Sequence, residues 1–487
     1  MATNRKAAVR YDEVLEALAA ELELFSDGNR RTFASFITDG RRVVWPIRSF
    51  ELSQAVRQKA YTMTHKLPNS NKVKDLTNML EFFAHEADVQ EVHTRVASFH
   101  DTVFIDLCNV AGEQVRIDEK GWKVISSVDS PVRFVRGSKQ TALPRPTGGG
   151  SLNSIKDFVS FKNDEDRILF VANILMSFHP TGPFPMLYMV GPQGSGKSCA
   201  CKLGGSLVDP TIPEIDCLPA SIRDFSIYAN NRHLMVFDNL SGCSNKMSDM
   251  LCRASTGGGF STRALHTDAE EVSFNIKKPI WFNGITEFLT RQDACDRSCI
   301  VRTKAIQGDM RMPEQEFWGE WEKQKPAVLG SLYDAISMAL KRYRDVRLST
   351  YPRMADFVRW IVAAEPALPW EGGDFLKAYE NNRLHVIESA IDADPVASAV
   401  IIFYQQFGAW EGTPTELLSA LNCQVTEDIK RLGVWPKMPN SLSAKLARSE
   451  VFLREKLINV EFGKSKGQRY IALRPAVPSP PSQVISI

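Results

Sequence analysis

Apolar and polar positions along the chain predict helices and strands in turn. Tyr11–Phe25 has apolar residues at helical spacing, whereas 103–107 and 122–125 are short apolar runs typical of strands. From about residue 152 to 385 helix and strand patterns alternate, which favours a parallel α/β sheet. Between residues 413 and 473 two helical patterns precede two strand-like runs.

Proline and glycine divide this pattern into blocks. Residues 143–151 read Leu-Pro-Arg-Pro-Thr-Gly-Gly-Gly-Ser, which cannot hold a helix or a central strand and predicts a linker. We therefore predict an α+β accessory domain over 1–150, an α/β domain with a helical lid over 152–390 and a small domain over 395–475. The proline-rich remainder, 476–487, is predicted to be disordered.

Composition narrows the classes of protein that fit. The 487 residues suggest about three domains. The net charge is only +2, so any surface for nucleic acid must be local. The longest apolar stretch, Ile168–Phe178, is too short to cross a bilayer, and the polar start is unlike a signal peptide. Nine cysteines without a C-x-x-C pair favour reduced, buried thiols over disulfides or zinc ligands, so we expect a cytoplasmic protein.

The motif with the clearest chemistry is a P-loop, G-x-x-x-x-G-K-S. An apolar strand-like run over 186–190 leads into it and a small-residue helical run follows. Backbone N–H groups of such a loop surround a phosphate, and the helix N-terminus adds partial positive charge. We expect Lys197 to reach the β- and γ-phosphates of ATP and Ser198 to hold Mg²⁺; the alternative is a glycine-rich turn without a ligand. The expected ATP-binding residues are Gly191, Pro192, Gln193, Gly194, Ser195, Gly196, Lys197, Ser198 and Cys199.

A second apolar run ends in Asp238, the Walker B pattern, and its carboxylate is expected to hold the Mg²⁺. An aspartate at a strand end is also common in turns. ATPases of this broad class usually place an acid next to this aspartate, but here the residue is Asn239. An amide can orient a water but cannot accept its proton. The base is therefore expected elsewhere, with Asp249 a candidate, or hydrolysis is slow.

A third apolar run ends in Asn283, and Arg297 follows one loop later. This is the layout of sensor 1 and the arginine finger in ring-forming AAA+ ATPases. Asn283 is expected to position the attacking water, and Arg297 to reach the neighbouring subunit's site. The alternatives are a turn-forming Asn283 and a pairing of Arg297 with Asp293 or Asp296 in its own chain.

Several further runs carry a specific resemblance. They resemble the superfamily 3 helicase domains of phage, prophage and poxvirus-type primase–helicases, over about residues 160–475. The resemblance implies an AAA+ P-loop core and a hexameric ring that moves along single-stranded DNA, which periodicity and spacing alone do not show. The matching runs are 251–265, 272–276, 279–285, 352–357 and 435–442.

Members of this family use a hairpin before sensor 1 to grip DNA, and the corresponding hairpin here spans roughly Arg263–Phe274. Its tip offers His266 among three acids, so DNA contact and a solvated surface hairpin both fit. Lys277 and Lys278 at the base are further candidates for DNA contact. Interface roles between subunits are expected for Arg263, Arg291 and Arg353.

The last block has a winged-helix plan, with two helices followed by a two-stranded wing whose turn is basic. DNA contact is one interpretation, and a solvated charged face or a protein-binding module is the other. The first 150 residues contain no convincing D-x-D pair, so a structural, substrate-loading or partner-binding domain is favoured over a polymerase, and any replication partner would bind there. Candidate DNA contacts of the last block are Lys445, Arg448, Lys464 and Lys466.

Together these features predict an ATP-driven, homo-oligomeric DNA helicase or translocase, acting on single-stranded or forked DNA in replication of a phage, prophage or satellite element. It would work in the cytoplasm of a bacterial or phage-infected cell without membrane contact. The alternative is a nucleotide-gated ATPase of defence or regulation that oligomerises without unwinding. Asn239 and the acidic hairpin tip favour this alternative.

Overall fold

The computed structural model describes residues 11–263, 271–285, 291–308, 311–465, 467–477 and 484–486, and its fold is mixed α/β with parallel and antiparallel sheets. No helix within these ranges combines the length and apolarity needed to cross a membrane.

The N-terminal part carries three helices and two antiparallel sheets. The helices are α1 (Tyr11–Glu21), α2 (Phe50–Thr64) and α3 (Ser70–Glu86). The strands are β1 (Glu23–Ser26), β2 (Thr32–Thr38), β3 (Arg41–Pro46), β4 (Val92–His93), β5 (Val96–Phe99), β6 (Thr102–Asp106), β7 (Glu113–Asp118), β8 (Gly121–Ser126) and β9 (Arg133–Phe134). β1–β2–β3 form one antiparallel sheet and β5–β6–β7–β8 another. The predicted strands near 103 and 122 are present, whereas the predicted first helix ends at Glu21 because its last residues join β1.

The central part is built around a parallel sheet. Its elements are α4 (Asp164–Met176), β10 (Met186–Val190), α5 (Lys197–Val208), α6 (Ile222–Asn230), β11 (Met235–Phe237), α7 (Asn245–Thr256), β12 (Gly258–Arg263), β13 (Glu271–Ile276), β14 (Ile280–Gly284), α8 (Gln292–Cys295), β15 (Ser298–Arg302), α9 (Glu314–Arg342), β16 (Arg347–Leu348), α10 (Ala355–Ala364) and α11 (Asp374–Asp392). The strand order is β11-β14-β10-β15, and all three pairings are parallel.

Helices cover both faces of this sheet. On β10, Leu187 and Met189 pack into a core shared with α4, α5 and α9, while Met186 and Tyr188 pack into a second core with α6, α7 and α11. A strand that is apolar at every position is therefore buried on both sides, as parallel strands between helices are. The parallel sheet expected from the sequence is present.

An antiparallel hairpin precedes β14. β12 pairs with β13 from Gly258 opposite Ile276 to Arg263 opposite Glu271. The hairpin predicted from Arg263 therefore begins earlier, at Gly258, directly after α7. The turn with His266 lies outside the described residues.

The segment predicted as a linker is packed against α9. Thr147 N–H donates to the carbonyl of Pro326 at 3.0 Å, and a Cβ on Gly150 would meet the Ala327 carbonyl oxygen at 2.1 Å. The large core also takes in Val103 and Ile117 from the N-terminal sheet. Packing is thus continuous across the predicted boundary, because glycine lets the chain approach the helix closely.

A buried polar cluster joins the N-terminal part to the central sheet. The Arg95 guanidinium and the Asp209 carboxylate are fully buried and lie 2.9 Å apart. Asp209 also accepts from the backbone N–H of His233 at 2.6 Å and from Gln140 at 2.8 Å. A buried charge is costly when a partner is missing. These bonds therefore favour one arrangement of the N-terminal part against the central sheet.

The C-terminal part forms a separate small core. Its elements are α12 (Pro395–Phe407), β17 (Trp410–Gly412), α13 (Pro414–Gln424), α14 (Glu427–Arg431), α15 (Pro439–Glu455), β18 (Ile458–Ser465) and β19 (Gln468–Pro475). The last strand, β20 (Val484–Ser486), lies outside this core. β17-β19-β18 is an antiparallel sheet. The tail was predicted to be disordered, but its residues 484–486 form β20, which pairs with β16. The partly buried Val484 packs on the main core, and this contact holds the strand there.

Candidate functional site

The loop after β10 has the backbone shape of a phosphate cradle. Gly194 and Gly196 have φ of +71° and +77°, which side chains other than glycine rarely adopt. A Cβ on Gly191 would lie 2.3 Å from Thr303 Oγ1, which itself donates to Ser195 Oγ at 2.8 Å. The residue after β15 therefore fixes the loop from its outer side, and the glycines are required by geometry.

Lys197 begins α5 and turns back over the loop. Its Nζ donates to the carbonyl oxygens of Gly191 and Pro192, both at 2.7 Å. Burial lowers the pKa of Lys197, and the charge of Asp238 counteracts part of that effect. The ammonium group thus lies within the loop, where a phosphate can replace the two carbonyl partners.

Ser198, Asp238 and Asn283 come together at the carboxyl ends of the parallel strands. Ser198 Oγ donates to Asp238 Oδ1 at 2.9 Å, and Asn283 Nδ2 donates to the same oxygen at 2.7 Å. The hydroxyl and carboxylate oxygens suit Mg²⁺, which prefers oxygen ligands. The parallel sheet explains why these three side chains lie together, since neighbouring parallel strands have their carboxyl ends at the same edge of the sheet.

Asn283 also orders the segment after Asp238. Its Oδ1 accepts from the backbone N–H of Asn239 at 3.0 Å, and its own carbonyl accepts from Leu240 N–H at 2.8 Å. Asn239 is exposed and has φ of +53°, in the left-handed region that asparagine tolerates better than most residues. Backbone conformation therefore favours asparagine or aspartate at this position over most other residues.

Asp249, the candidate base, is engaged elsewhere. Its carboxylate lies 2.7 Å from Arg291 Nη2, and Arg291 Nη1 donates to the carbonyl of Asn245 at 2.9 Å. These bonds hold the helix α7 to the segment before α8. The interface role expected for Arg291 thus competes with a partner in its own chain.

Arg297 is likewise held within its own chain, as its alternative interpretation stated. Its guanidinium donates to the carbonyl of Cys252 at 3.0 Å and to Thr256 Oγ1 at 2.7 Å, and lies 3.0 Å from Asp293. The side chain is only 17% exposed. These partners hold the side chain at the end of α7, and its reach toward a neighbouring subunit's site stays a prediction.

The remaining interface candidates are Arg353 and Arg263. Arg353 pairs with Asp293 and, at 3.4 Å, with Asp296. The side chain of Arg263 lies outside the described residues.

One residue beside the loop carries no sequence signal. Arg311 Nη2 lies 3.1 Å from where a Cβ on Gly194 would stand. Ile306 N–H faces the Gly194 carbonyl at 3.4 Å, so the chain after β15 runs along the P-loop. Arg311 belongs to no motif, and only the tertiary path of this segment shows that a cation stands there.

The two lysines at the hairpin base differ. Lys278 Nζ donates to Thr94 Oγ1 at 3.2 Å, and burial lowers the pKa of Lys278 to about 8. The ammonium of Lys278 thus faces the N-terminal part in this conformation, and its DNA contact stays a prediction. Lys277 is exposed and passes Gly257, where a Cβ would lie 2.6 Å from its Cε.

The C-terminal candidates lie on two neighbouring elements. On α15, Lys445 is half-buried and Arg448 is exposed. On β18, Lys464 is exposed and stands opposite Arg469 of β19. Lys466 lies outside the described residues.

All nine cysteines are free thiols, as expected, although only Cys201, Cys252, Cys295 and Cys299 are buried. Within the described residues, no group of three or more His, Cys, Asp or Glu side chains has the arrangement of a metal site.

The solved structures that this chain resembles are low in sequence identity to it. No curated protein matches the sequence. The A form apo structure of the NrS-1 C-terminal region covers 97% of this chain and 100% of its own, at 11% identity and a TM-score of 0.43. Two further apo structures are of that region over its residues 305–718. Each match covers 95% of this chain and 98% of the solved one, at 10% identity, with TM-scores of 0.42 and 0.40.

Two family models match consecutive parts of the chain. Residues 152–381 match the actinomycete integrative conjugative element replication protein, and residues 396–482 match the C-terminal domain of the same replication protein. The two matches together cover more than half of the 487 residues. The chain belongs to the family of actinomycete integrative conjugative element replication proteins.

Proposed function

We propose that this replication protein is an ATP-dependent DNA helicase or translocase with an AAA+ core of the superfamily 3 type. The observation that carries the proposal is the meeting of Ser198, Asp238 and Asn283 beside a loop with the glycine geometry of a phosphate cradle. Family membership supports a role in replicating a mobile element, and therefore a DNA partner.

Each residue has a task that its position supports. Lys197 exchanges its two carbonyl partners for the β- and γ-phosphates of ATP, and the backbone of Gly194–Lys197 donates to them. Ser198 and Asp238 hold Mg²⁺, which when bound neutralises phosphate charge. Asn283 is fixed by its bonds to Asp238 and Asn239, and its Oδ1 keeps a second lone pair with which it would orient a water.

The C-terminal part supports a DNA contact of winged-helix type. Helix α15 is followed by the hairpin β18–β19, and β17 completes the small sheet, which is the order of a winged helix. Exposed Arg448, Lys464 and Arg469 place positive charge on both the helix and the hairpin. Such charge attracts phosphates without reading sequence.

A second candidate function has an observation of its own. A nucleotide-gated ATPase that assembles without unwinding needs no finger reaching the next subunit, and Arg297 is bound within its own chain. The exposed amide of Asn239 in place of an acid also fits slow turnover.

Strand displacement separates the two functions. The full chain is given ATP and a forked duplex, and released strand and phosphate are both measured. Lys197→Ala should abolish both activities, since it removes the charge that faces the phosphates. The matched control is Lys202→Ala, on the same helix but paired with Glu214, which should retain both. ATP hydrolysis without strand release supports the second candidate, and no Lys197-dependent hydrolysis contradicts both.

A further inference from the structure

Side chains from the chain after β15 lie against the glycines of the P-loop. Ile306 Cδ1 is 3.3 Å from where a Cβ on Gly196 would stand. Arg311 Nη2 is 3.1 Å from where a Cβ on Gly194 would stand. Glycine at these two positions therefore supplies the positive φ and also leaves space for the neighbouring side chains. Through the second contact a cation stands at the rim of the phosphate cradle.

The helix that follows Arg311 is packed against the P-loop helix α5. α9 begins at Glu314, three residues after Arg311. Burial raises the pKa of Cys199 in the first turn of α5, and the negative charge of Glu314 adds to this rise. Further along, Trp321 of α9 donates its Nε1–H to Ser206 Oγ of α5 at 3.0 Å. The packing of the two helices thus holds the segment with Arg311 beside the loop.

The Arg311 guanidinium is available to a ligand. Arg311 is exposed, and within the described residues its side chain forms no hydrogen bond or ion pair. A guanidinium presents five N–H donors in a planar fork, which matches two oxygens of one phosphate group. A cation of this kind beside a loop with the shape of a phosphate cradle points to an anionic ligand.

The other cations near the proposed site leave a need for a further one. Lys197 is the cation of the P-loop itself, and Arg297 is bound to partners at the end of α7. Mg²⁺ and one ammonium group compensate only part of the charge of a triphosphate. Sites that transfer phosphate commonly use an arginine to stabilise the remaining charge. Arg311 has the position and the chemistry for this task.

We propose that Arg311 binds the phosphate chain of the nucleotide held by the P-loop of its own chain. The inference rests on the proposed binding of ATP at this loop and adds a second cation that touches the phosphates. Lys197 Nζ lies at the carbonyls of Gly191 and Pro192, whereas Arg311 stands at Gly194. The two cations therefore meet the phosphate chain at different points, and neither contact needs a neighbouring subunit.

Substitution by glutamine tests the contact, because it removes the charge and keeps a polar side chain of similar length. Binding of ATP and of inorganic tripolyphosphate, both with Mg²⁺, is measured by calorimetry on the full chain. Arg311→Gln should weaken both by roughly ten- to hundredfold, the cost of one charged hydrogen-bonding partner. Arg311→Lys should recover part of this loss, since it restores the charge without the planar fork.

The matched control is Arg344→Gln, which removes the same charge at a distance. Arg344 is 77% exposed, pairs with Asp101 and follows the far end of α9. A helix of 29 residues is roughly 43 Å long, so this arginine is remote from the P-loop. Arg344→Gln should bind both ligands as the wild type does. Thermal unfolding without ligand verifies that each variant is folded.

Lys197→Ala separates this inference from the proposed function. If the binding of tripolyphosphate and ATP does not depend on Lys197, the P-loop function itself fails. If both ligands depend on Lys197 but bind Arg311→Gln as tightly as the wild type, the role of Arg311 is overturned and the P-loop function stands. If Arg311→Gln weakens ATP alone, Arg311 contacts the base or the ribose, and the phosphate contact is likewise overturned.

Discussion

At the scale of single residues, backbone conformation decides some identities that chemistry alone would leave puzzling. Asn239 follows the carboxylate of Asp238, where an acid would help hydrolysis, yet it has φ of +53° and donates its N–H to Asn283. Asparagine and aspartate tolerate this conformation, whereas most other side chains cost about 1 kcal/mol there. The position therefore admits an acid with little strain.

Asn239→Asp should keep or raise the rate of ATP hydrolysis, since a carboxylate can accept the proton of water and the backbone strain is similar. Asn239→Ala should lower the rate and the melting temperature, because alanine does not tolerate positive φ. Steady-state phosphate release and thermal unfolding measure these effects. Equal rates in all three proteins would place the base elsewhere.

Asp166 gives the stability of the fold a pH dependence. Burial is the main cause that raises the pKa of Asp166 to about 6, so the native state binds a proton that the unfolded chain has released. Stability from this group is therefore lost as pH rises from about 4 to 6. Asp166 lines a cavity beside β15 together with Lys162, Glu165, Arg302 and His385, and these groups are unchanged in Asp166→Asn.

We expect Asp166→Asn to gain stability relative to the wild type as pH rises through that window, by up to roughly 3 kcal/mol for two pKa units. Urea unfolding at pH 4 and pH 7 without nucleotide measures the difference. A constant difference at the two pH values would show that the carboxylate titrates normally. Asp164→Asn serves for comparison: hydrogen bonds from Arg167 lower the pKa of Asp164, so this variant should show no such gain as pH rises.

At the scale of elements, Arg297 ties the end of α7 to α8 and thereby fixes the start of the hairpin β12–β13. Its bonds to Cys252, Thr256 and Asp293 hold it in place. The sequence left two interpretations of this arginine open, a reach into a neighbouring subunit and a pairing with Asp293 or Asp296 in its own chain, and the second includes the observed partner Asp293. The partners on α7 are 41 and 45 residues away along the chain, so spacing could not reveal them.

Arg297→Ala should lower the free energy of unfolding by about 1–3 kcal/mol, because a part-buried charged hydrogen-bond donor is removed. It should not complement Lys197→Ala: a mixture of the two proteins should show no more activity than its Arg297→Ala component shows alone. The test is phosphate release from mixtures whose co-assembly with ATP and single-stranded DNA is verified. Partial recovery of activity would instead show that Arg297 completes a neighbouring site.

Much of the central site was predictable because strand ends carry its residues. The apolar runs ending at Asp238 and Asn283 needed only a parallel sheet to meet Ser198, and that sheet is present. Arg311 was not predictable, since it reaches the P-loop through an irregular segment after β15. The burial of Lys278 depends on Thr94, which is 184 residues away.

At the scale of the whole molecule, charge is distributed unevenly despite a net charge of only +2. Arg448 and Lys464 are exposed on the helix and hairpin of the C-terminal part. Arg474, on β19, is paired with Glu411 and provides a matched arginine with a partner. These three residues allow the DNA contact to be tested without removing any part of the fold.

The double variant Arg448→Ala/Lys464→Ala should weaken duplex binding and reduce the slope of log K against log salt by about 1.8, or about 0.9 for each phosphate that is no longer neutralised. ATP hydrolysis should change little. Fluorescence anisotropy over a salt series measures the slope, with Arg474→Ala as the control. An unchanged slope would make this surface a protein-binding one.

The position of the hairpin determines how the protein would bear a mechanical load. β13 runs through three residues into β14, which is bonded to β10 on one side and to β11 on the other. Tension on the hairpin is therefore applied along a strand clamped from both sides, so its hydrogen bonds are strained together in shear and not opened one by one. Just before β14, Lys278 is bonded to Thr94, so part of the force on the hairpin would pass to the N-terminal part.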